Sequence, residues 1–540
     1  MKRRNFIQLS AISGAIPFIG LKACTPAETE GSSQESEQKE PPFELEEWTV
    51  AQLQEAMETG KYTSRKICEL YLARIKEKDQ SDGGLNSVIE VNPDALAIAD
   101  DLDRERSNGN VRGPLHGIPV MIKDNIDTGD KMMTTAGSLA LAGSTAPDDA
   151  FIVKQLREAG AVLLGKTNLS EWANFRSYRS SSGWSGRGRQ TRNPFALDRN
   201  PCGSSSGSGA AVSGNMCALT IGTETNGSIV CPSSANGVVG IKPTVGLWSR
   251  DGIIPISETQ DTAGPMGRTV ADAATLLGAC VGVDEADGRT RESEGNSYTD
   301  YTQFLDANAL KGKRIGVLSG VFGYHEKVDE VFEKVVEVLE SQGAEVIKDI
   351  EVSEDGAYGN SGLELLLYEF KDGLNKYLAS RPDAKVKTLA DVIQFNKDNA
   401  SEEMPYFQQE LLERAEMKGP LSDAEYKEAL ETVTSVSRNG IDDTLKENNL
   451  DAIIGVTGGP AWPIDVINGD HFGTGSSTPA ARSGYPNITV PAGFVHGLPV
   501  GMSIFAGKYQ EPKLIGIAYA FEQATNVRKA PKLIPTLDLS

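Results

Sequence analysis

Hydrophobic and polar positions follow two different periods along this chain. In residues 49–78 apolar side chains recur every three or four positions, which predicts two helices separated near Gly60 and Thr63. Ile118–Ile122 is instead a short, continuous apolar run, typical of a strand buried inside a sheet. Residues 313–350 predict a strand, a helix and a second strand in turn. These patterns predict an α/β fold, as one large domain in which a mixed, twisted β-sheet is flanked by helices on both faces.

Two segments depart from this alternation. Residues 355–450 are mostly helical in pattern and highly charged. We interpret them as a helical insertion in a domain that spans residues 45–540, and two roles stay open: a solvated cap, or a lid that faces the substrate. Residues 25–44 contain few large apolar side chains, which predicts a disordered tether in front of the domain.

The stretch Pro201–Pro232 fits neither period, because it consists almost entirely of Gly, Ser, Ala and Thr. It contains no Lys or Arg, and its one charged residue is acidic. Residues 207–216 can form a helix that rises roughly 15 Å, and residues 217–223 can return over a similar distance as a strand. This path predicts that the turn ending at Ser228 lies beside Ser204.

A lysine and two serines in these segments could form a nucleophilic centre. Lys123 comes directly after the predicted buried strand. Either it is a solvated surface charge, or the strand ends at a cleft, where desolvation lowers the pKa of the lysine and makes it a general base. Ser228 is the candidate nucleophile, and Ser204 could pass its proton on to Lys123.

The turn that ends at the candidate nucleophile offers a second requirement of acyl-transfer chemistry. Its residues, Thr225, Asn226, Gly227 and Ser228, are suited to tight curvature. The N–H groups of such a turn can all point one way and form a nest for an anion. We therefore interpret the turn as an oxyanion hole.

Residues 203–207 allow a competing interpretation, because they match the G-x-S-x-G pattern of the nucleophile elbow in α/β-hydrolases. That elbow needs a strand immediately before it, whereas residues 199–202 predict a turn. It also needs a late histidine, and His471 and His496 are the two that qualify. An esterase of this type is kept as an alternative.

The net charge and the positions of the cysteines limit which partners and cofactors are expected. The net charge of −22 argues against a nucleic-acid partner, since an acidic protein repels the phosphate backbone. The six cysteines form no C-x-x-C pair and the four histidines lie far from them, so we predict no metal site and no cofactor. Cys202 and Cys231 flank the central stretch, but their spacing alone does not predict a disulfide.

The first 24 residues have the layout of an export signal. A basic start that contains Arg3 and Arg4 precedes a mildly apolar run, which resembles a twin-arginine signal peptide. The run spans Phe6 to Leu21, and Lys22-Ala23-Cys24 after it resembles a lipoprotein cleavage site, although lysine is a poor residue there. Lipidation of Cys24 would attach the protein to a membrane. We therefore expect residues 1–24 to be a signal peptide and the protein to be exported, either periplasmic or anchored as a lipoprotein.

Several motifs, in the right order, resemble the amidase signature family. They are GIPVMIKDNI around Lys123, CGSSSGSGAAV around Ser204, GTETNGSIVCPS around Ser228, and the later GVVGIKPTVGLWSR, QDTAGPM and PAGFVHGLPVGMSIFA. The resemblance runs from about residue 45 to the C-terminus, with a divergent middle. It implies a Ser–cisSer–Lys triad in which Ser228 attacks, Ser204 follows a cis peptide bond and relays the proton, and Lys123 is the base. It also implies that Ser205 supports Lys123 by hydrogen bonding.

Two positions depart from the family pattern. Many members have glycine where this chain has Asn226, and many have arginine where it has Val230. Because that arginine could pair with a substrate carboxylate, Val230 argues against acidic substrates. Trp462, in a Gly/Pro-rich turn after a predicted strand, is either a wall of the acyl pocket or a core residue.

The resemblance therefore predicts an amidase that cleaves an uncharged carboxamide in a small molecule or short peptide through an acyl-enzyme. The segments TETNGSIVCP and SSSGWSGRGRQTRNP look similar to peptide amidases, which remove the C-terminal amide of peptides. A second alternative is an A-type amidotransferase subunit for glutaminyl-tRNA formation, against which the export signal argues. A third is a non-catalytic binding protein on an inherited fold, against which the three triad residues argue.

Overall fold

The computed structural model describes residues 43–319, 322–352 and 359–539. The expected signal peptide, Cys24 and nearly all of the expected tether lie outside the described residues. Phe43–Ser540 cluster into one compact unit. Within the described ranges, no helix combines the length and the apolar character needed to cross a membrane.

A mixed sheet of eleven strands runs through the described part of the chain, and two short strands pair separately. In chain order the strands are β1 (Val88–Val91), β2 (Pro119–Lys123), β3 (Val162–Thr167), β4 (Trp184–Ser185), β5 (Arg189–Gln190), β6 (Leu219–Glu224), β7 (Val239–Lys242), β8 (Thr262–Gly267), β9 (Arg314–Leu318), β10 (Glu345–Ile350), β11 (Ala452–Val456), β12 (Asn487–Val495) and β13 (Leu498–Phe505). Across the large sheet the order is β1-β3-β2-β6-β8-β7-β12-β13-β11-β9-β10, with parallel and antiparallel pairs. The expected mixed α/β fold is confirmed.

Helices flank this sheet and fill the connections between its strands. In chain order they are α1 (Val50–Glu58), α2 (Ser64–Arg74), α3 (Ala95–Ser107), α4 (Phe151–Glu158), α5 (Ser206–Ser213), α6 (Val230–Ala235), α7 (Val270–Ala279), α8 (Glu326–Ser341), α9 (Ser361–Ala379), α10 (Leu389–Asp398), α11 (Ala400–Glu403), α12 (Glu410–Glu416), α13 (Ala424–Glu447), α14 (Thr478–Ser483) and α15 (Glu511–Thr525). As the local sequence predicts, Thr63 caps α2, with its side chain accepting a hydrogen bond from the Lys66 N–H.

Two neighbouring strands of the sheet, β2 and β6, bring the predicted base to the central stretch. β2 lies between β3 and β6 and pairs with both in parallel. The register places Ile122 opposite Ile221, so Lys123, the last residue of β2, lies beside the end of β6. Parallel strands end at the same edge of a sheet, which is where α/β proteins place their sites.

α5 and β6 follow the out-and-back path expected from the sequence. Every residue of α5 is buried. A Cβ atom on Gly207 would lie 2.4 Å from the carbonyl oxygens of Asn168 and Ser87, so glycine lets the helix lie this close to neighbouring backbone. The end of the path lies beside its beginning: the Ser205 N–H donates to the Ser228 carbonyl oxygen at 3.2 Å.

Helices α9 to α13 occupy the charged middle of the chain. They do not form only a solvated layer. Leu367, Phe370 and Leu374 of α9 are buried in one apolar cluster with Trp172 and Ile254, which belong to loops near the edge of the sheet. α9 is therefore fixed against the part of the fold that carries the candidate site.

Candidate active site

Lys123 is fully buried, and four oxygen atoms surround its amine. Its Nζ lies 2.8 Å from Ser204 Oγ and 3.0 Å from Ser205 Oγ. Thr223 supplies the other two oxygens, with its Oγ1 at 2.8 Å and its carbonyl oxygen at 3.2 Å. The predicted base and the predicted relay serine are therefore in direct hydrogen-bonding distance, and the surface-charge interpretation of Lys123 is wrong.

The environment of Lys123 favours the neutral amine. Burial lowers the pKa of Lys123 to about 7, because removal from water disfavours the ammonium ion. The carboxylates of Asp261 and Glu224 act in the opposite direction and raise this pKa, but burial dominates. A neutral amine has a lone pair that can accept a proton from the Ser204 hydroxyl at pH values near 7.

Ser205 connects the base to the backbone of Thr223. Its Oγ accepts a hydrogen bond from the Thr223 N–H at 3.1 Å and donates to the Thr223 carbonyl oxygen at 3.0 Å. Together with its contact to Lys123 and its backbone bond to Ser228, this makes it a junction of three segments. The peptide bond between Gly203 and Ser204 is cis.

The two serines differ in their access to solvent. Ser204 is buried, whereas Ser228 is partly exposed at the end of the turn after β6. Gly227 has a φ of 83°, a left-handed conformation that favours glycine. Within the described residues, the N–H groups of Gly227 and Ser228 donate to no other group. These donors are therefore available to a developing oxyanion.

Glu224 binds the backbone just after the oxyanion turn, where the chain enters α6. Its Oε2 accepts hydrogen bonds from the N–H groups of Ile229 at 2.8 Å and Val230 at 3.1 Å, where α6 begins. A carboxylate is stabilising at a helix N-terminus. The Val230 side chain is fully buried, and its expected influence on substrate choice stays a prediction.

Asn226, which stands where many family members have glycine, ties the turn to the start of α14. Ser477 Oγ donates to Asn226 Oδ1 at 2.8 Å, and Asn226 Nδ2 donates to Thr478 Oγ1 at 3.3 Å. This departure from the family pattern therefore adds two side-chain hydrogen bonds that the smaller residue could not form.

A disulfide that the cysteine spacing did not predict joins Cys202 to Cys231, with the Cα atoms 6.0 Å apart. Cys202 lies two residues before Ser204, and Cys231 lies three residues after Ser228. Trp462 packs in one buried cluster with the two cysteines. The out-and-back path was the sequence feature that could have indicated this disulfide, because it returns the end of the central stretch to its beginning.

Trp462 and the two late histidines lie together in one region of the fold. Trp462 is 8% exposed and its Nε1 donates to Asp470 Oδ1 at 3.2 Å. With His471 and His496 it lines a separate cavity of about 310 Å³. The structure thus places Trp462 against the disulfide that flanks the two serines, and its role as a wall of the acyl pocket stays a prediction. The structure also gives the esterase alternative no support, since Ser204 pairs with Lys123 and both histidines are exposed.

A cavity of about 680 Å³ opens beside the triad. Asn125 and Thr223, which are hydrogen-bonded to each other next to Lys123, belong to its lining, as does Thr225 at the start of the oxyanion turn. The triad side chains themselves are not part of the lining. Glu369 and Tyr377 extend the lining to α9, so the helical insertion faces this cavity.

Within the described ranges, no group of three or more His, Cys, Asp or Glu side chains is arranged to hold a metal ion.

Four residues beside the triad were missed by reasoning from the sequence. They are Asn125, Thr223, Glu224 and Asp261. Each lies inside one of the motifs already singled out, but the motifs do not say which of their polar residues meet. Asp261 illustrates this, because its carboxylate accepts hydrogen bonds from Thr225 Oγ1 and from the N–H groups of Ile256 and Ser257. Burial raises its pKa to about 6.

Comparisons with known proteins agree on the family. A family model for amidases matches residues 66–515. The chain is 45% identical to a probable amidase of Arabidopsis thaliana, over 91% of this chain and 93% of the relative. The crystal structure of native peptide amidase from Stenotrophomonas maltophilia is similar with a TM-score of 0.88 and 49% identity, covering 91% of this chain and all of that chain (100%). A glutamyl-tRNA(Gln) amidotransferase subunit from Caldanaerobacter subterraneus subsp. tengcongensis is 33% identical over 91% of this chain and 99% of the relative.

Proposed function

Because the chain belongs to the amidase signature family and is an amidohydrolase similar to peptide amidase, we propose that it is exported and hydrolyses uncharged carboxamides, in particular the C-terminal amide of short peptides. In this proposal Ser228 is the nucleophile, Ser204 the proton relay and Lys123 the base. The hydrogen bond of 2.8 Å between the buried Lys123 amine and Ser204 Oγ carries the assignment.

Acylation begins with attack of Ser228 Oγ on the carbonyl carbon of the amide. The Ser228 proton passes to Ser204 Oγ while the Ser204 proton passes to the neutral Lys123 amine. The oxyanion that forms accepts hydrogen bonds from the N–H groups of the turn Thr225–Ser228. When the C–N bond breaks, the Lys123 proton returns through Ser204 to the leaving nitrogen. A primary amide therefore releases ammonia and leaves an ester on Ser228.

Deacylation uses the same groups in the same order. Water attacks the ester carbonyl carbon and gives its proton through Ser204 to Lys123. Breakdown of the second tetrahedral intermediate returns that proton to Ser228 Oγ and releases the carboxylic acid. The exchange of one amide and one water for one acid and one amine is balanced and regenerates the triad.

Replacement of the nucleophile tests this proposal. We expect Ser228→Ala and Lys123→Ala each to lower ammonia release from a peptide amide by at least about 10³-fold. The first variant has no nucleophile to form the acyl-enzyme, and the second has no base to activate Ser228. Far-ultraviolet circular dichroism and thermal unfolding check that the variants fold. Labelling by a fluorophosphonate should require Ser228. Full activity of Ser228→Ala would overturn the assignment.

The amidotransferase alternative rests on the family members that serve glutaminyl-tRNA formation. It predicts ammonia release from free glutamine and dependence on a partner subunit. The proposal made here predicts that the isolated chain hydrolyses peptide amides without a partner. The two are separated by assaying the purified chain alone against glutamine and against a peptide amide.

A further inference from the structure

The cavity beside the triad has a strong excess of negative charge. Its lining contains ten carboxylate side chains and four cationic ones. Three of the four cations are already neutralised by ion pairs: Arg250–Asp287, Arg289–Glu292 and Lys376–Asp372. The fourth, Lys154, lies at the exposed edge. Four of the ten carboxylates are also paired, Asp127 with Arg381, Asp149 with Arg157, Asp287 with Arg250 and Asp372 with Lys376. In the described residues, six carboxylates and Lys154 therefore remain outside ion pairs in this lining.

Three carboxylates at the outer wall of the cavity have no cationic partner. Asp148, Asp251 and Glu258 lie there with no ion pair within the described residues. Burial raises the pKa of Asp251 and the neighbouring Asp284, Asp287 and Asp148 carboxylates raise it further, whereas Lys154 acts in the opposite direction and lowers it. Burial is the larger cause, and the smaller contribution of the three carboxylates shows that negative charges lie close to one another at this wall. In a concave site with low-dielectric walls, such a field raises the local concentration of cations.

Two buried acceptor atoms of the lining also lack a partner. Glu224 is 1% exposed and Asn125 is 3% exposed, yet Glu224 Oε1 and Asn125 Oδ1 form no hydrogen bond within the described residues. Buried polar atoms are nearly always satisfied in folded proteins. Both atoms are acceptors, and both residues lie next to the oxyanion turn or the base. They indicate a ligand that brings hydrogen-bond donors into the inner end of the cavity.

We propose that the cavity binds the acyl part of a cationic peptide amide and that the enzyme selects substrates carrying a positive charge near the scissile amide. This inference rests on the proposed function, because the cavity is treated as the acyl side of the triad. The N–H groups of the peptide meet the unpartnered acceptors at the inner end, and its cationic group meets Asp251 and Glu258 at the wall. The charge is supplied either by a Lys or Arg side chain or by a free N-terminal ammonium.

Matched peptide amides test the selectivity. In acetyl-Ala-X-Leu-amide, X is Lys, Gln or Glu, so only the charge of one side chain changes. At low ionic strength we expect kcat/KM for the Lys peptide to exceed that for the Glu peptide by at least about tenfold, with Gln between them. Because salt screens charges, raising the ionic strength from about 0.01 M to about 1 M should shrink this ratio. A fourth peptide, Ala-Gln-Leu-amide with a free N-terminus, tests the second source of charge.

Variants connect the preference to the cavity. The double variant Asp251→Asn, Glu258→Gln should lower the Lys-to-Glu ratio at least about threefold. The matched control Glu428→Gln, Glu431→Gln removes two exposed carboxylates of α13 that do not line the cavity, and it should leave the ratio unchanged. If none of the peptides is hydrolysed, the proposed function fails. If all are hydrolysed without preference for positive charge, or if the control lowers the ratio as much as the cavity variant, the function stands and the acidic cavity does not select substrates.

Discussion

Lys123 acquires its chemical role from burial. A lysine in water is almost wholly protonated at neutral pH and cannot accept a proton. In this site the amine is removed from water, and the nearest atoms to it are neutral oxygens of Ser204, Ser205 and Thr223. The carboxylates that could stabilise the ammonium ion, Asp261 and Glu224, are not among its hydrogen-bond partners, so its pKa falls to about 7.

This lowered pKa predicts how activity depends on pH. The reactive form is the neutral amine, which is the minority form below the pKa and the majority form above it. We expect kcat/KM to rise with pH through an apparent pKa near 7 and to reach a plateau about one to two pH units higher. Initial rates of ammonia release across the pH range measure this profile. A profile that stays flat from pH values well below 7 would contradict a catalytic role for this amine.

Ser205 is a positioning residue whose contribution can be separated from folding. Its hydroxyl accepts a hydrogen bond from Lys123, and this bond stabilises the protonated amine. We expect Ser205→Ala to lower kcat by roughly 10²-fold with little change in KM, and to shift the apparent pKa of the pH profile further down. Ser206→Ala is the matched control, because Ser206 Oγ donates to the Cys202 carbonyl oxygen and not to the base. An unshifted pH profile in Ser205→Ala would show that its role is structural only.

At the scale of elements, the disulfide joins the segment that enters α5 to the helix α6. Its cysteines are 29 residues apart and flank the two serines. In the chain-entropy account, closing a loop of this length stabilises the fold by about 3–4 kcal/mol, because it restricts the unfolded chain. The bond also limits how far the start of α5 and the oxyanion turn can separate.

Removal of this bond should affect stability and activity together. We expect the double variant Cys202→Ser, Cys231→Ser to lose about 2–4 kcal/mol of unfolding free energy and several-fold in kcat, because the two serine-bearing segments separate more easily. Urea unfolding with and without a thiol reductant measures the first effect. Reductant should lower the midpoint of the wild type and leave that of the variant unchanged. Equal wild-type midpoints under both conditions would mean that the disulfide does not form.

The individual elements show which parts of the site the local sequence pattern can predict and which it cannot. The sequence predicted β2, α5 and β6 and the return of Ser228 to Ser204, because each element is a few turns or residues long and its rise is known. It did not predict the side chains that complete the site from elsewhere, such as Asp261 on the loop before β8 or Ser477 before α14. These meet the oxyanion turn only after the sheet has ordered its strands.

At the scale of the whole molecule, the disulfide supports the proposed export. Disulfides persist in oxidising compartments and are rare in a reducing cytosol. The chain also begins with the twin-arginine and lipoprotein patterns, whose residues lie outside the described part of the structure. These two observations are independent, since one comes from the N-terminus and the other from the active site.

Fractionation of cells that express the full chain tests the proposed export. We expect the wild type outside the cytoplasm, either in the soluble periplasmic fraction or, where Cys24 is lipidated, in a membrane fraction from which Cys24→Ser releases it. Replacing Arg3 and Arg4 by lysine should retain the precursor in the cytoplasm. The finding of active, unprocessed wild type in the cytoplasm would contradict the export proposal and leave the amidase assignment intact.

The sequence by itself determined the α/β class and the path of the central stretch, and its resemblance to the amidase signature family predicted Lys123, Ser204 and Ser228 as a group. The class and the path follow from short-range periodicity and element length, whereas the grouping of Lys123 with two distant serines follows from the family motifs. Only the tertiary structure decided that Val230 is a core residue, that Trp462 packs on a disulfide and that α9 forms a wall of an acidic cavity. The reason is physical: burial, pKa and the sign of a local field depend on groups hundreds of residues apart, which become neighbours only when eleven strands are ordered into one sheet.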